Sequence, residues 1–73
     1  MNFSVALELL KQGSEVRRLG WNGKGMYIKL KRPDGYGDMT LPYIYMYTAT
    51  RDLVPWLASQ TDLLSCDWEE VKL

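Results

Sequence analysis

The sequence predicts an α+β fold: a small antiparallel β-sheet with an N-terminal α-helix and a short second helix. Three observations favour this class. Apolar side chains near the N-terminus recur at helical spacing. Later segments alternate apolar with polar residues, as half-buried strands do. Glycine- and proline-containing turns separate these segments. At 73 residues, the chain is expected to form a single domain, residues 1–73.

The first helix is predicted over residues 3–12. Asn2 is a favourable N-cap, because its side-chain oxygen can accept a hydrogen bond from a free backbone N–H group, and Gly13 favours the helix end. One stripe of this helix is apolar and is expected to be buried. The stripe consists of Phe3, Ala6, Leu7 and Leu10. We expect this helix to serve as scaffold.

Two strands are predicted next, at residues 14–19 and 26–31. The first carries Arg17 and Arg18. Paired arginines usually form a solvated edge, but this pair leads directly into a glycine-rich loop, where one of them could meet an anion. In the second strand, apolar residues alternate with Tyr and Lys, which indicates a half-buried strand. The apolar positions are Met26, Ile28 and Leu30.

The glycine loop between these strands, residues 20–26, reads Gly-Trp-Asn-Gly-Lys-Gly-Met. Asn22-Gly23 predicts a type I′ hairpin turn, which needs positive φ at both central residues. Trp21 could offer its indole face to a planar ligand, with Lys24 and backbone N–H groups nearby for an anion. The alternative is a core position for Trp21, and the loop alone does not decide between the two.

An aromatic strand is predicted at residues 41–48, after a loop at 32–38 that contains Pro-Asp-Gly. Ile44 and Met46 point to one face of this strand, and three tyrosines point to the other. Both faces are thus largely apolar, which an exposed antiparallel sheet does not favour on its outer side. We interpret the tyrosine row as an interface with another subunit or as the wall of a cleft. The tyrosine row consists of Tyr43, Tyr45 and Tyr47.

Two short strands are predicted in the C-terminal third of the chain. A turn at residues 50–52 leads into a strand at 53–54, which Pro55 is expected to end because proline has no N–H group to donate. A closing strand is predicted at residues 67–73, with Val71 and Leu73 pointing inward.

Between these strands, residues 59–62 (Ser-Gln-Thr-Asp) match a capping box and predict a brief helix through residue 64. Trp56 comes shortly before it. Free N–H groups at a helix N-terminus favour negative charge, so Trp56 and this turn could hold a base and a phosphate together. The alternative is that Ser59 and Asp62 satisfy those N–H groups themselves.

The composition disfavours several classes of function. The chain has no histidine, and its one cysteine, Cys66, has an acidic neighbour. We therefore expect no catalytic residues, no metal site, no cofactor and no intramolecular disulfide. Nine basic and nine acidic residues cancel, which disfavours nucleic-acid binding. The lack of a membrane-spanning or signal-peptide pattern favours a cytoplasmic setting. A core this small is marginal alone, which favours a homo-oligomer.

Three segments of the chain match a pattern found in a known family. They are residues 3–7 (Phe-Ser-Val-Ala-Leu) with 16–18 (Val-Arg-Arg), the glycine loop 20–26, and residues 54–64 (Val-Pro-Trp-Leu-Ala-Ser-Gln-Thr-Asp-Leu-Leu) with 67–68 (Asp-Trp). Together they resemble the Thoeris anti-defence two family of small phage and prophage proteins. The resemblance spans nearly the whole chain, and the two tryptophan motifs in this order are its most specific part.

The resemblance implies a phage-encoded protein that binds and sequesters a cyclic nucleotide-type immune signal, such as glycocyclic ADP-ribose, without cleaving it. It implies action in the cytoplasm of the bacterial host cell. It also implies a homotetramer with pockets between subunits, where a purine stacks on Trp21 and Trp56. Further ligand-binding candidates lie on the same motifs: Arg18, Asn22, Lys24, Met26, Ser59, Gln60 and Thr61.

Two other functions remain open. The first is a protein-interaction module that inhibits a host defence protein through the tyrosine row. The second is a hydrolase of such signals, which the missing histidine disfavours.

Overall fold

The computed structural model describes residues 1–72, so the prediction for Leu73 lies outside the described residues. Two helices and five strands follow one another along the chain. In chain order they are α1 (Phe3–Lys11), β1 (Val16–Arg18), β2 (Tyr27–Lys31), β3 (Tyr43–Tyr47), β4 (Leu53–Pro55), α2 (Gln60–Leu64) and β5 (Trp68–Glu70). No helix among these residues is long and apolar enough to cross a membrane. The α+β prediction is confirmed.

The strands form one sheet in the order β4-β3-β2-β1-β5, and each neighbouring pair is antiparallel. The strands predicted at residues 14–19 and 67–73 are longer than the observed β1 and β5, which have three residues each. Single hydrogen bonds continue beyond them, from Leu19 N–H to the Asp67 carbonyl at 3.0 Å and from Val71 N–H to the Glu15 carbonyl at 2.8 Å. The prediction that Pro55 ends its strand is wrong.

Pro55 belongs to β4, opposite Tyr45 on β3. Because β4 is an edge strand, no further strand lies on its outward side, and a residue that faces this side needs no backbone N–H group for pairing. The missing N–H group of proline therefore leaves the ladder to β3 intact.

The core lies between α1 and one face of the sheet. Cross-strand pairing puts Val16 opposite Ile28, Ile28 opposite Met46, and Met46 opposite Val54, so these residues share a face. Helix α1 packs against β1, β2 and β5 on this inner face. Five residues are fully buried there: Ala6, Leu10, Val16, Ile28 and Trp68.

The tyrosine row lies on the opposite, outer face of the sheet, together with Tyr27 on β2. All five residues of β3 are half-buried. Tyr27 pairs with Tyr47 across the two strands, and their rings stack with centroids 5.1 Å apart. This stacked pair covers one end of the outer face.

Both predicted helix caps are confirmed. The side chain of Asn2 accepts a hydrogen bond from Val5 N–H at 3.0 Å, and Gly13 ends the first helical segment with φ of 94°. Ser59 and Asp62 form a reciprocal capping box at α2. These local interactions define both ends of α1 and the start of α2.

Candidate functional site

Three tryptophans that are distant in sequence meet at one end of the inner face. Trp68 on β5 is 1% exposed. The ring of Trp21 meets it edge-on, with centroids 5.3 Å apart and planes at 80°. The ring of Trp56 does the same at 6.0 Å and 88°. Trp21 and Trp56 are half-buried and pack at the border of the core. We call these three residues the tryptophan cluster.

Trp21 is positioned by the residues that precede it in the chain and by two distant carboxylates. Its backbone N–H donates to the carbonyl of Arg18 at 3.3 Å, which turns the chain immediately after β1. The N–H of Gly20 donates to Asp67 Oδ2 at 2.8 Å. The indole Nε1 of Trp21 donates to Asp62 Oδ1 at 3.3 Å. These contacts fix both the backbone and the ring of Trp21.

Gly20 is required by a close approach rather than by its backbone angles. A Cβ atom at this position would lie 2.9 Å from Asp67 Oδ2. A larger residue would therefore displace the carboxylate that accepts the Gly20 N–H bond. The glycine directly before Trp21 thus serves the packing of this corner.

Trp56 is positioned by the end of the edge strand. Its backbone N–H donates to the carbonyl of Ile44 at 3.1 Å, which continues the pairing with β3 by one residue. Its ring also lies 5.9 Å from that of Phe3 on α1. A strand end and a helix start therefore place Trp56 together against Trp68.

Arg18 lies on the inner face and forms ion pairs with two carboxylates. Its Nη1 donates to Asp62 Oδ1 at 2.9 Å, and its Nε donates to Asp67 Oδ1 at 2.8 Å. The Arg18 side chain is 15% exposed and that of Asp62 is 12% exposed. This pairing joins β1, α2 and the segment before β5. The anion that Arg18 meets within the chain is thus a pair of aspartates.

The electrostatics of this ion cluster follow from its geometry. The hydrogen bonds that Arg18 donates to Asp67 and Asp62 raise the pKa of its guanidinium. Burial raises the pKa of Asp62, but hydrogen bonds from Arg18, Trp21 and Ser59 outweigh it, so the pKa lies below its ordinary value. The pKa of Asp67 is also lowered, chiefly by its hydrogen bond with Arg18. Both carboxylates are therefore ionised at neutral pH.

The capping box satisfies backbone donors at the start of α2. Asp62 N–H donates to Ser59 Oγ at 3.0 Å, and Ser59 N–H donates to Asp62 Oδ2 at 3.3 Å. This matches the interpretation in which the two side chains satisfy the helix start themselves. Gln60 and Thr61 are exposed beside it.

The glycine loop joins β1 and β2 as predicted, but the predicted type I′ turn at Asn22-Gly23 is wrong. Positive φ among its described residues occurs at Gly25, at 75°, and not at Asn22 or Gly23. Gly23 instead allows close packing, because a Cβ there would lie 2.7 Å from Ala49 Cβ and would overlap Met26. The close approach of the loop to the turn after β3 therefore determines its shape.

The remaining candidates of this loop differ in exposure. Asn22 and Lys24 are exposed, whereas Met26 is half-buried with its sulfur against Gly23. The structure thus brings Trp21, Trp56 and Arg18 to one corner and places Asn22 and Lys24 on the exposed loop beside it.

Sequence reasoning missed three residues of this corner: Asp62, Asp67 and Trp68. Asp62 was assigned to the cap alone, and the cap accounts for only one of its two carboxylate oxygens. Trp68 was noted only as part of a motif. The pairing of Arg18 with Trp68 across β1 and β5 joins residues 49 or more positions apart, which no local pattern reports.

A concave feature lies on the outer face, away from the tryptophan cluster. It is an open groove of about 430 Å³ lined by β2, β3 and β4. Lys31 contributes a cation, and its ammonium lies 3.1 Å from Asp34 Oδ2. Residues lining the groove are Lys31, Tyr43, Tyr45, Leu53, Val54 and Pro55. Two residues of the tyrosine row therefore form a wall of this groove. Within residues 1–72, no group of three or more acidic or cysteine side chains is arranged to hold a metal ion.

The fold and this corner define a small α+β domain built around three converging tryptophans and an internal arginine–aspartate cluster. The Tad2-like family, described as the Thoeris anti-defense 2-like domain, matches residues 1–71. The chain is also 42% identical over 84 aligned positions to Thoeris anti-defense 2 of Bacillus phage SP01, covering 97% of this chain and 94% of that protein. The chain belongs to the Thoeris anti-defense 2 family. This membership supports a phage anti-defence role that involves components of host immunity.

Proposed function

We propose that this protein binds a cyclic nucleotide-type immune signal, such as glycocyclic ADP-ribose, and sequesters it without cleaving it. The main supporting observation is that Trp21 and Trp56 are half-buried at the edge of the tryptophan cluster, while Trp68 fills the core. Part of each residue is thus accessible to a ligand. Family membership supports the anti-defence context of this activity.

The energy of stacking argues for an enclosed, shared site. Stacking of a base on an aromatic side chain contributes about 1–3 kcal/mol, so two indoles contribute about 2–6 kcal/mol. A micromolar complex needs about 8 kcal/mol. Trp21 and Trp56 each pack against Trp68, so we place the second wall of the pocket on another subunit. A homotetramer with intersubunit pockets is therefore part of the proposal.

The candidate residues take different roles in this site. Trp21 and Trp56 stack on the flat ring. Lys24 and Asn22, exposed on the glycine loop, contact the phosphate or ribose groups. Arg18 acts behind Trp21, because its guanidinium is already paired with two carboxylates. The remaining candidates border the pocket: Met26, Ser59, Gln60 and Thr61.

The proposal is one of binding without catalysis, in the cytoplasm of the infected bacterium where such a signal acts. The chain lacks histidine, the most common general base. Its one cysteine, Cys66, is exposed and has no histidine to activate it.

The proposed function is tested by measuring whether the protein removes the nucleotide signal from solution and then releases it intact. Purified protein is mixed with glycocyclic ADP-ribose, the protein is removed by filtration, and free nucleotide is measured by mass spectrometry. We expect stoichiometric depletion, followed by return of the intact nucleotide when the complex is heated. Release of a cleaved product would contradict sequestration. A panel of cyclic dinucleotides and cyclic ADP-ribose isomers then defines the ligand class.

The outer face favours a second candidate function, inhibition of a host defence protein. The tyrosine row and its groove present half-buried aromatic rings, a composition enriched at protein interfaces. A protein that binds no nucleotide of the panel but forms a stable complex with a defence enzyme would favour this candidate. Substitution of Tyr45 by serine would then abolish the complex.

A further inference from the structure

One carboxylate group connects the tryptophan cluster to the ion cluster. Oδ1 of Asp62 accepts from the indole Nε1 of Trp21 at 3.3 Å and from Nη1 of Arg18 at 2.9 Å. The backbone carbonyl of the same residue accepts from the indole Nε1 of Trp68 at 2.9 Å. Asp62 thus contacts the N–H groups of two tryptophans through two chemically different oxygens.

We propose that Asp62 is a positioning residue whose carboxylate sets the orientation of the Trp21 ring. The consequence for ligand affinity rests on the function proposed above, whereas the orientation itself is a property of the free protein. Asp62 does not touch the ligand in this proposal. It acts through Trp21, and Arg18 holds the carboxylate in place.

Two contacts together determine the plane of the Trp21 indole. The edge-on packing against Trp68, at 5.3 Å and 80°, restricts the tilt of the ring. The hydrogen bond to Asp62 fixes which edge of the ring points inward. Hydrogen bonds to an ionised acceptor are stronger than neutral ones, particularly where water is partly excluded. A ring that is already oriented loses less freedom when it binds, so affinity increases.

The chain offers two matched controls for Asp62. Asp67 also accepts a hydrogen bond from Arg18, at 2.8 Å, yet its side chain makes no hydrogen bond to an indole among the described residues. Ser59 shares the capping box with Asp62, but its N–H donates to Oδ2 of Asp62 and not to Oδ1, the acceptor of Trp21. Asp67→Asn therefore perturbs the ion cluster, and Ser59→Ala perturbs the cap, without removing the acceptor of Trp21.

The orientation is tested by NMR of the indole N–H groups in the ligand-free protein. Trp21→Phe identifies the Trp21 signal. In Asp62→Asn we expect this signal to shift and its N–H to exchange with solvent roughly tenfold faster, because a charge-assisted bond is replaced by a neutral one. The Trp68 signal serves as the internal control for folding, since its acceptor is a backbone carbonyl. Ser59→Ala should leave the exchange rate of the Trp21 N–H within about twofold of wild type. Asp67→Asn also weakens the acceptor of the Gly20 N–H next to Trp21, so it should raise this exchange rate, but by less than Asp62→Asn does.

Affinity for glycocyclic ADP-ribose is then compared in a double-mutant cycle. We expect Asp62→Asn to weaken binding roughly tenfold in the wild-type background and less than about twofold in the Trp21→Phe background. Trp21→Phe keeps an aromatic ring but has no N–H group for Asp62 to orient. A binding loss of equal size in both backgrounds would overturn an action through Trp21.

The two proposals fail in distinguishable ways. An unchanged Trp21 signal in Asp62→Asn, with or without altered binding, would overturn the positioning role. If wild-type protein binds neither glycocyclic ADP-ribose nor any cyclic nucleotide of the panel, sequestration fails, while the exchange measurement still decides the orientation. A shifted Trp21 signal with an intact Trp68 signal supports the positioning role in either case.

Discussion

Two adjacent arginines show how differently the two faces of the sheet are used. Arg17 points to the outer face and pairs with Glu69 at 2.6 Å, with its side chain 43% exposed. Arg18 points to the inner face, is 15% exposed, and pairs with Asp62 and Asp67. Both arginines pair with carboxylates from the C-terminal part of the chain. The difference is that Asp62, a partner of Arg18, also accepts hydrogen bonds from the Trp21 indole N–H and from the Ser59 N–H at the helix cap.

The inner face is therefore closed by the chain itself except at the half-buried Trp21 and Trp56, whereas the outer face presents aromatic side chains. On the inner face, Trp68 and α1 bury the sheet, and each polar group of the ion cluster has a named partner. On the outer face, the tyrosine row remains half-buried, with the groove beside it. The contrast between the inner and the outer face can be tested by mutation on each face.

Trp68→Ala is expected to reduce the free energy of unfolding by about 3–5 kcal/mol, because it empties the largest fully buried site of the inner face. Tyr47→Ala on the outer face is the matched control and should cost clearly less in dilute protein. Urea denaturation followed by far-UV circular dichroism measures both. Equal losses would mean that the two faces contribute alike to folding.

Arg18→Ala is expected to cost about 2–3 kcal/mol of unfolding free energy, since it leaves two carboxylates at a partly buried site without their cation. Arg17→Ala should cost less than about 1 kcal/mol, as is usual for an exposed ion pair. Thermal unfolding of both variants under identical conditions provides the comparison. A larger loss for Arg17 would reverse the roles assigned to the two faces.

Trp56→Ala is expected to weaken binding of glycocyclic ADP-ribose by roughly 10- to 100-fold, which corresponds to the stacking energy of one base. Isothermal titration calorimetry measures the change. Tyr36→Ala, which removes a ring that is 96% exposed on the loop after β2, is the matched control and should bind as wild type does. Equal affinities for Trp56→Ala and wild type would remove Trp56 from the site.

The pH dependence of stability is the smallest expected effect. The pKa values of Asp62 and Asp67 are lowered in the folded protein. Their contribution is therefore fully present above the ordinary aspartate value of about 3.9 and is lost as pH falls through the lowered pKa values. Urea midpoints measured from neutral pH down to about pH 2.5 should fall steeply below about pH 4. The Asp62→Asn/Asp67→Asn double variant should show a shallower fall, and parallel curves would exclude the ion cluster as the cause.

Local patterns were sufficient for the elements of the fold and for the two helix caps. Asn2, Gly13 and the capping box at Ser59 act over three or four residues, so their chemistry is readable along the chain. Pro55 was misread because its tolerance depends on β4 being an edge strand. The turn at Asn22-Gly23 was misread because a neighbouring turn constrains Gly23.

Periodicity and turn signals are local properties, so the sequence was enough to predict the α+β class and the alternating strands. The family resemblance placed Trp21 and Trp56 among the ligand-binding candidates, and that role stays a prediction. Only the tertiary structure decided that Trp68 joins these two rings and that Asp62 and Asp67 hold Arg18. These contacts depend on the order of the strands in the sheet. Placing β5 beside β1 brings residues about fifty positions apart into hydrogen-bond contact, and that choice depends on the packing of the whole sheet.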